Sequence, residues 1–420
     1  MPLPAAAARP FDLAVIGAGI VGVSTAHAAR QRGLSVVLVD RREPGEETSY
    51  GNAGILSSGS VTPLNSPALW KSLPAYLGNR HPALRFAPGW WLRNNPWALR
   101  FLANANAAAT APRAAALNGL IQASLAQHRQ WIVAAGETHR LRETGWLKLW
   151  RSDSLAAARA ESEALAAFGI ASDILDRQAI SGLEPSLAPI YPVGLHHKDT
   201  ASVDSPQAIV KAYARLLAQG GGTFVRGEVS ALHQGAEGWR VVHANGEISA
   251  RNVAVALGPW SPDLLAPLGY RVPMAYERGY HQEFRADAAR RLGRPIYDAE
   301  GGFVLTPVEN GLRLTTGVEL AARDAPSSSL QLVAATAKAR AILAFGDPVA
   351  APWRGARPTF PDSLPMIGPA PRHKGLWLAC GHQHIGLTTG PATGAAIAAM
   401  VAGDAPPFDA RAFDPSRYLR

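Results

Sequence analysis

The chain has 420 residues, 47% of them hydrophobic, enough for two domains with a core each. Its 41 basic and 32 acidic residues leave a net charge of +9; the arginines are scattered, which argues against a nucleic-acid tail and leaves a diffuse field suited to acidic metabolites or an anionic membrane surface. A single cysteine, Cys380, excludes an internal disulfide and a cysteine-based metal site, and its neighbours Leu376 to Ala379 mark a buried structural thiol of a reducing compartment.

Residues 1 to 10 lack the charged start and long apolar stretch of a signal peptide and read as a short disordered leader. No apolar run approaches the roughly 20 residues that span a bilayer, so a cytoplasmic protein is expected, soluble or peripheral at the inner face of the membrane. Phe11 to Ile16 is a β-rich run ending at Gly17, and Val21 to Arg30 has helical composition, so the glycines of Gly17-Ala-Gly-Ile-Val-Gly22 sit between strand and helix. Gly17 allows the tight turn, Gly19 lets a pyrophosphate approach the backbone at the helix N-terminus, and Gly22 lets the helix pack on the strand. A second strand, Leu34 to Val39, delivers Asp40, an acceptor for a ribose hydroxyl and a charge that repels a 2′-phosphate. Ile20 and Arg41 are placed at the same site. A cofactor containing ADP-ribose or its flavin counterpart is implied.

The loop Thr48-Ser-Tyr-Gly-Asn-Ala-Gly54 follows, with small side chains and free amides that suit close approach to a ligand. From Pro63 to about Ala111 the texture changes to prolines and tryptophans (Trp70, Trp90, Trp91, Trp97), the mark of a second domain. Gly89 to Leu102 reads either as a membrane-surface helix or, preferred here, as a core helix pair broken at Pro96. Pro112 is expected to open a long helix to Ala135. A strand at 144–150, a surface helix at 156–168, a short helix at 178–185 and an amphipathic helix at 205–219 come next. Strands at 223–226, 239–243 and 252–257, with Asn245-Gly246 as a hairpin turn, return the chain to the nucleotide domain. Antiparallel strands at 279–284, 302–306 and 312–316 form a β-rich substrate domain, and a strand at 376–379 and a small-residue helix at 391–401 cross back.

Together the motifs VIGAGIVG with Asp40, TSYGNAG, VAVALGPWS at 253–261, RPxxPDxxPMIG at 357–368 and GHQHIGLTTGPATG at 381–394 make a chain that resembles the FAD-dependent D-amino-acid oxidase superfamily. It is most similar to the bacterial D-amino-acid dehydrogenase small-subunit-like branch. That resemblance implies an α/β fold: a Rossmann-like FAD-binding domain assembled from discontinuous segments (11–62, 190–265 and 345–420), with an inserted α+β substrate domain of mixed, largely antiparallel sheet (63–189 and 266–344). It also implies that Asp40 holds the adenosine ribose, that Ser49 and the Gly51, Asn52 and Gly54 backbone line pyrophosphate and flavin, that Val229 meets the adenine, and that Gly258 and Trp260 close over the cofactor. In the last motif Gly386 permits close approach with Leu387 beside it, and Thr388 and Thr389 can cap a helix from Pro391. Its N-terminus would face the flavin N1–C2 edge and stabilise the charge of the reduced ring.

By the same resemblance Arg357 forks onto the substrate carboxylate, a role that suits a planar guanidinium. Arg278 and Tyr280 are candidates for a second carboxylate contact or an active-site wall. His382 and His384 are candidates to orient substrate or take the amine proton, whereas a metal is not expected, since their spacing falls in a loop with no third ligand nearby. The superfamily moves the α-hydrogen as hydride to flavin N5. No cysteine stands near Thr359, where the covalent sarcosine-oxidase branch carries one, so noncovalent FAD is expected. The departure around Glu277 to Tyr280 leaves the side chain open, with cyclic D-imino acids such as D-proline or 4-hydroxy-D-proline as candidates and a quinone or respiratory-chain acceptor as partner. Three rivals remain: a glycine or sarcosine oxidase using oxygen, a noncatalytic flavin-binding subunit, and an NAD-dependent dehydrogenase.

Overall fold

Two sheets face each other across a cavity in the computed structural model, which describes residues 9–79 and 81–419. Most of the expected N-terminal leader lies outside the described residues. In the first sheet Phe11–Ile16 lies between Val36–Asp40 and the far end of Gly246–Val255, all parallel, with Thr223–Arg226 beyond Val36–Asp40. Leu13 to Ile16 and Val36 to Val39 are fully buried, because one face packs on helices such as Ile20–Gln31 and the other on Leu232, Trp239 and Val241 of the antiparallel strands Val229–Gly235 and Gly238–His243. The strand Gly246–Val255 serves three neighbours. Its first half returns antiparallel on Gly238–His243 through the Asn245-Gly246 turn, and its second half runs parallel to Phe11–Ile16 and Leu376–Cys380.

The helices Ile20–Gln31 and Gly386–Ala402 cover this sheet and touch through small residues: a Cβ at Gly394 would meet the Ser24–Thr25 backbone. The second helix starts earlier than expected, at Gly386, so Pro391 lies inside it and Thr388 and Thr389 belong to its first turn instead of capping it. Proline cannot donate to the carbonyl one turn back. That carbonyl, Leu387 O, is bound instead by His128 Nε2 at 2.8 Å, and the other ring nitrogen meets the Tyr213 hydroxyl at 2.7 Å. His128 comes from the long helix Ala107–Ala134, which is capped by Asn106 and not opened by Pro112.

The second sheet roofs the cavity. Its central strand, Ala275–Ala286, pairs antiparallel with Gly311–Thr316, Val318–Leu320, Phe345–Pro348 and Trp353–Thr359. Leu84–Phe86 extends one edge and the hairpin strands from Phe303–Val308 to Ser172–Asp176 the other. Sheet membership departs from the expected boundaries. Val193–His197, Phe345–Pro348 and Trp353–Thr359 hydrogen-bond into the roof, although 190–265 and 345–420 placed them in the nucleotide part. Conversely, Leu117, Leu120 and Ile121 of the long helix join the core of the first sheet. Composition marks where texture changes; it does not record which edge a strand finds. Gly89 to Leu102 forms most of one helix, Trp90–Ala103, kinked at Asn94 just before Pro96, with Trp90 and Trp97 buried and Leu92 and Leu99 exposed.

Candidate active site

The cavity between the sheets measures about 260 Å³. At its nucleotide end Gly17 has φ +108°, and a Cβ there would lie 2.5 Å from Ala256 O. Asp40 Oδ2 accepts from Ala18 N at 2.6 Å and Oδ1 from Arg42 N at 2.9 Å; burial pushes this carboxyl's pKa up, against the backbone donors that hold it down. Ser49 Oγ accepts from Ile20 N at 3.0 Å and stands at the N-terminus of the first helix. The Arg41 guanidinium sits 4.5 Å from the Trp260 ring centroid, a desolvating contact that holds the indole at the mouth.

Of the residues expected to hold the cofactor, Gly17, Gly19, Ile20, Asp40, Arg41, Ser49, Gly51, Asn52, Val229, Gly258, Trp260, Gly386 and Leu387 line the cavity. Gly22, Gly54 and Thr388 stand behind the wall. A Cβ at Gly22 would overlap Gly17 O, and one at Gly54 would overlap Val203 O. Thr388 Oγ1 accepts from Ser57 N at 3.2 Å and donates to Ile55 O at 3.3 Å, tying the helix start to the loop after Gly54.

Strand parity decides the substrate end. Side chains of Glu277, Gly279 and His281 share one face with their ladder partners Arg357, Gly355 and Trp353. Arg278 and Tyr280 point to the other face. There Arg278, 1% exposed, donates to Glu319 Oε2 at 2.7 Å, to the Tyr280 hydroxyl at 2.7 Å and to the Pro326 carbonyl at 2.7 Å. The Tyr280 hydroxyl in turn donates to Glu319 at 2.6 Å, and burial, then Glu319, pushes its pKa up. Tyr280 touches the cavity wall, but its hydroxyl is engaged elsewhere; Arg278 does not reach the wall.

Arg357 does. Its guanidinium lies where a Cβ of Gly279 would be, and its one hydrogen bond is a long one, 3.3 Å to Gly317 O. Burial lowers its pKa and the charge of Glu277 opposes this, so a cation wanting anionic partners faces the cavity. Gly279 makes room for it and Gly355 for the Trp353 indole, as strand glycines at a close approach do, but in sequence Gly279 adjoins Arg278, and only the ladder sets it beside Arg357. His382 and His384 also line the wall. The His382 ring meets Thr393 Oγ1 at 3.0 Å, and burial holds its pKa down to about 3. His384 lines the cavity with an exposed ring; desolvation by the surrounding protein, then the Arg357 charge, lowers its pKa. Both rings are neutral at neutral pH, fit to accept hydrogen bonds and unfit to hold a proton. Between them Gln383 takes φ +50°, a strained conformation at a wall residue.

Three further residues escaped sequence reasoning. Trp353 stacks on His281 at 5.0 Å, and its indole lies over Gly355 and against Gly51. Thr315 lines the wall from the neighbouring strand. Arg313 reaches from the roof to the Tyr50 carbonyl at 2.9 Å and to Glu283, pinning the loop 48–54.

The cradle has the parts that a flavin dinucleotide needs: bare glycines at a helix N-terminus, an acid after the second strand, and a second helix start at Gly386 beside a cation. Residues 12–400 match the family described as FAD dependent oxidoreductase (DAO). The chain belongs to that family. It is 31% identical to a D-amino-acid oxidase of Bradyrhizobium diazoefficiens (97% of this chain, 99% of the relative) and 29% identical to a D-amino acid dehydrogenase of Granulibacter bethesdensis (96% and 99%). Among solved structures, glycine oxidase from Geobacillus kaustophilus superposes with a TM-score of 0.75 at 20% identity (98% and 99% covered). L-proline dehydrogenase from P. horikoshii gives 0.76 at 17% (97% and 98%). These structures share the Rossmann-like fold with its inserted mixed-sheet domain. The protein is an FAD-dependent oxidoreductase, which removes the nicotinamide and noncatalytic alternatives. Among the described residues no helix is long and apolar enough to cross a membrane, and no cluster of metal-ligating side chains occurs.

Proposed function

We propose that this enzyme oxidises a D-amino acid to the imino acid, with hydride leaving the α-carbon for flavin N5 and the electrons passing to a quinone-type acceptor. Bound FAD supplies the two-electron acceptor; the chain's own residues bind and align the substrate. Arg357 carries the reading: a half-buried guanidinium with one long hydrogen bond, aimed into the cavity, suits a carboxylate held by two parallel bonds. Trp353, over Gly355, gives a flat wall beside it, against which the ring of D-proline or 4-hydroxy-D-proline can pack. Neutral His382 and His384 accept hydrogen bonds from the amine side and exclude water, so the site supports alignment more than strong base catalysis. The D configuration rests on the relatives named D-amino-acid oxidase and dehydrogenase.

An anaerobic screen of D- and L-amino acids for flavin bleaching, with D-proline included, tests the substrate; failure of every D-amino acid to bleach it ends this reading. One relative bears an oxidase name, which keeps an oxygen-using amine oxidase as a second reading. Peroxide release matching turnover, with no reduction of quinone, would select it. Exposed Leu92 and Leu99 on the tryptophan-rich helix support peripheral contact with an anionic bilayer, and flotation with anionic vesicles checks this.

A further inference from the structure

A second cavity, of about 200 Å³, lies behind the substrate end and shares no wall residue with the first. The helices Leu69–Leu77 and Trp90–Ala103 form one side and the strand Val318–Leu320 the other. Its walls are flat and apolar: Phe86, Trp90, Trp91, Trp97 and Phe101, with Trp97 and Phe101 stacked at 4.8 Å. Its one carboxyl is Glu277, which accepts from Thr359 Oγ1 at 2.8 Å and lies directly opposite Arg357 in the ladder. Such partners stand roughly 5 Å apart at Cβ, so the inner end of this cavity abuts the substrate end of the first. Burial pushes the Glu277 pKa up, against the Thr359 hydrogen bond and the Arg357 charge that hold it down; in its protonated form the acid is a hydrogen-bond donor.

The outer faces of the same helices are apolar too. Trp70 (50% exposed) and Leu77 (55%), like Leu92 (83%) and Leu99 (68%), lie about two turns apart on their helices. No acidic residue occurs between Glu47 and Glu137, whereas Lys71, Arg85, Arg93 and Arg100 fall within this stretch. Apolar side chains rimmed only by positive charge suit an anionic bilayer surface.

We infer that the second cavity binds the ring of a lipid-soluble quinone, admitted from the bilayer between the two helices, with the Glu277 carboxyl donating to a quinone oxygen. This rests on the reading of the enzyme as a dehydrogenase with a quinone acceptor. Two separate cavities match two separate ligands, one entering from water to meet a cation and one from lipid to meet aromatic faces. The exchange balances: the substrate ammonium loses a proton and the α-carbon a hydride, and these supply the two electrons and two protons that turn the quinone into its hydroquinone.

The test titrates the holoenzyme with a benzoquinone bearing a short alkyl tail and follows tryptophan fluorescence, which needs no turnover. Saturable quenching is expected. Ala98→Phe from the helix and Val318→Phe from the opposite strand overfill the cavity, and each should weaken binding about tenfold or more. FAD content reports that they are folded, and anaerobic bleaching by the best amino acid should stay within about twofold of wild type, since that site is separate. Equal quenching in wild type and both variants overturns the inference. So does retained quinone binding with selective loss of bleaching by bulky amino acids, which would make the cavity a side-chain pocket. Absence of bleaching by any amino acid in the wild type would count against the catalytic reading alone, because quenching is read independently.

Discussion

The two ends of the flavin cavity are built differently. At the nucleotide end the contacts are made by backbone: Gly17 at φ +108°, the Ala18 amide on Asp40 and the Ile20 amide on Ser49. At the substrate end they are made by side chains projecting from one face of a sheet, with Arg357 seated over Gly279 and Trp353 over Gly355. At the first end an atom added at Gly17 would meet backbone; at the second an atom added at Gly279 or Gly355 would meet a side chain, so that end depends on which residue faces in.

The sharpest way to break that contrast is at Gly22, where a Cβ would overlap Gly17 O. Gly22→Val should yield no FAD-loaded protein; soluble, yellow material of normal stoichiometry would show that the backbone end is adaptable. Next comes Arg357→Ala. Leaving a buried charge unpaired costs about 3–5 kcal/mol, so kcat/KM should fall by roughly two to four powers of ten, with FAD content unchanged. Arg357→Lys should recover only part, because a point charge cannot fork. Half-saturation like wild type in Arg357→Ala would remove this residue from substrate binding.

Arg278→Met sharpens the parity argument. Breaking its buried pair with Glu319 should cost about 3–5 kcal/mol of stability, read by denaturant midpoints, while kcat/KM of the folded fraction stays within about twofold. The reverse pattern would put Arg278 in the active site. Asp40→Ala should weaken FAD by roughly 1.5–3 kcal/mol, the worth of a hydrogen bond to a charged group, and acid precipitation of wild type should release all the flavin, since no cysteine stands among the residues that line the cavity. The smallest effect is in pH. Burial holds His128 to about 4 and His382 to about 3, so below the ordinary histidine value the unfolded chain binds protons that the fold refuses. Their stabilisation is full above about pH 6.5 and is lost as pH falls toward those values. Melting midpoints should drop between pH 6.5 and 5; a flat profile there would mean that these rings are not neutral in the fold.

The strand, glycine loop, helix and acid at the N-terminus could be read because each rests on local chemistry: a turn that demands glycine, a β-branched run, an acid at the strand's end. Trp239 to His243 and the Asn245-Gly246 hairpin were readable for the same reason. Arg278 and Tyr280 were drawn toward the site because residue type alone does not say which face of a strand meets a ligand, and Arg313 was missed because nothing near it in sequence foretells the loop it pins. The helix start at Gly386 was hidden by Pro391, a residue that usually opens helices and here lies inside one with His128 bound to the carbonyl it frees.

By itself the sequence determined the family and pointed to the flavin-binding end and to Arg357 as the candidate for the substrate carboxylate, since these depend on motifs of contiguous residues. Only the tertiary structure decided that Gly279, Gly355 and Trp353 line the cavity with Arg357, that Arg278 turns away and Tyr280 engages its hydroxyl elsewhere, and that a second aromatic cavity, with Glu277 in its wall, lies behind them. The physical reason is that ladder register turns a one-residue step along a strand into opposite faces of a sheet, and register is set by the partner strands Gly311–Thr316 and Trp353–Thr359, which lie far along the chain.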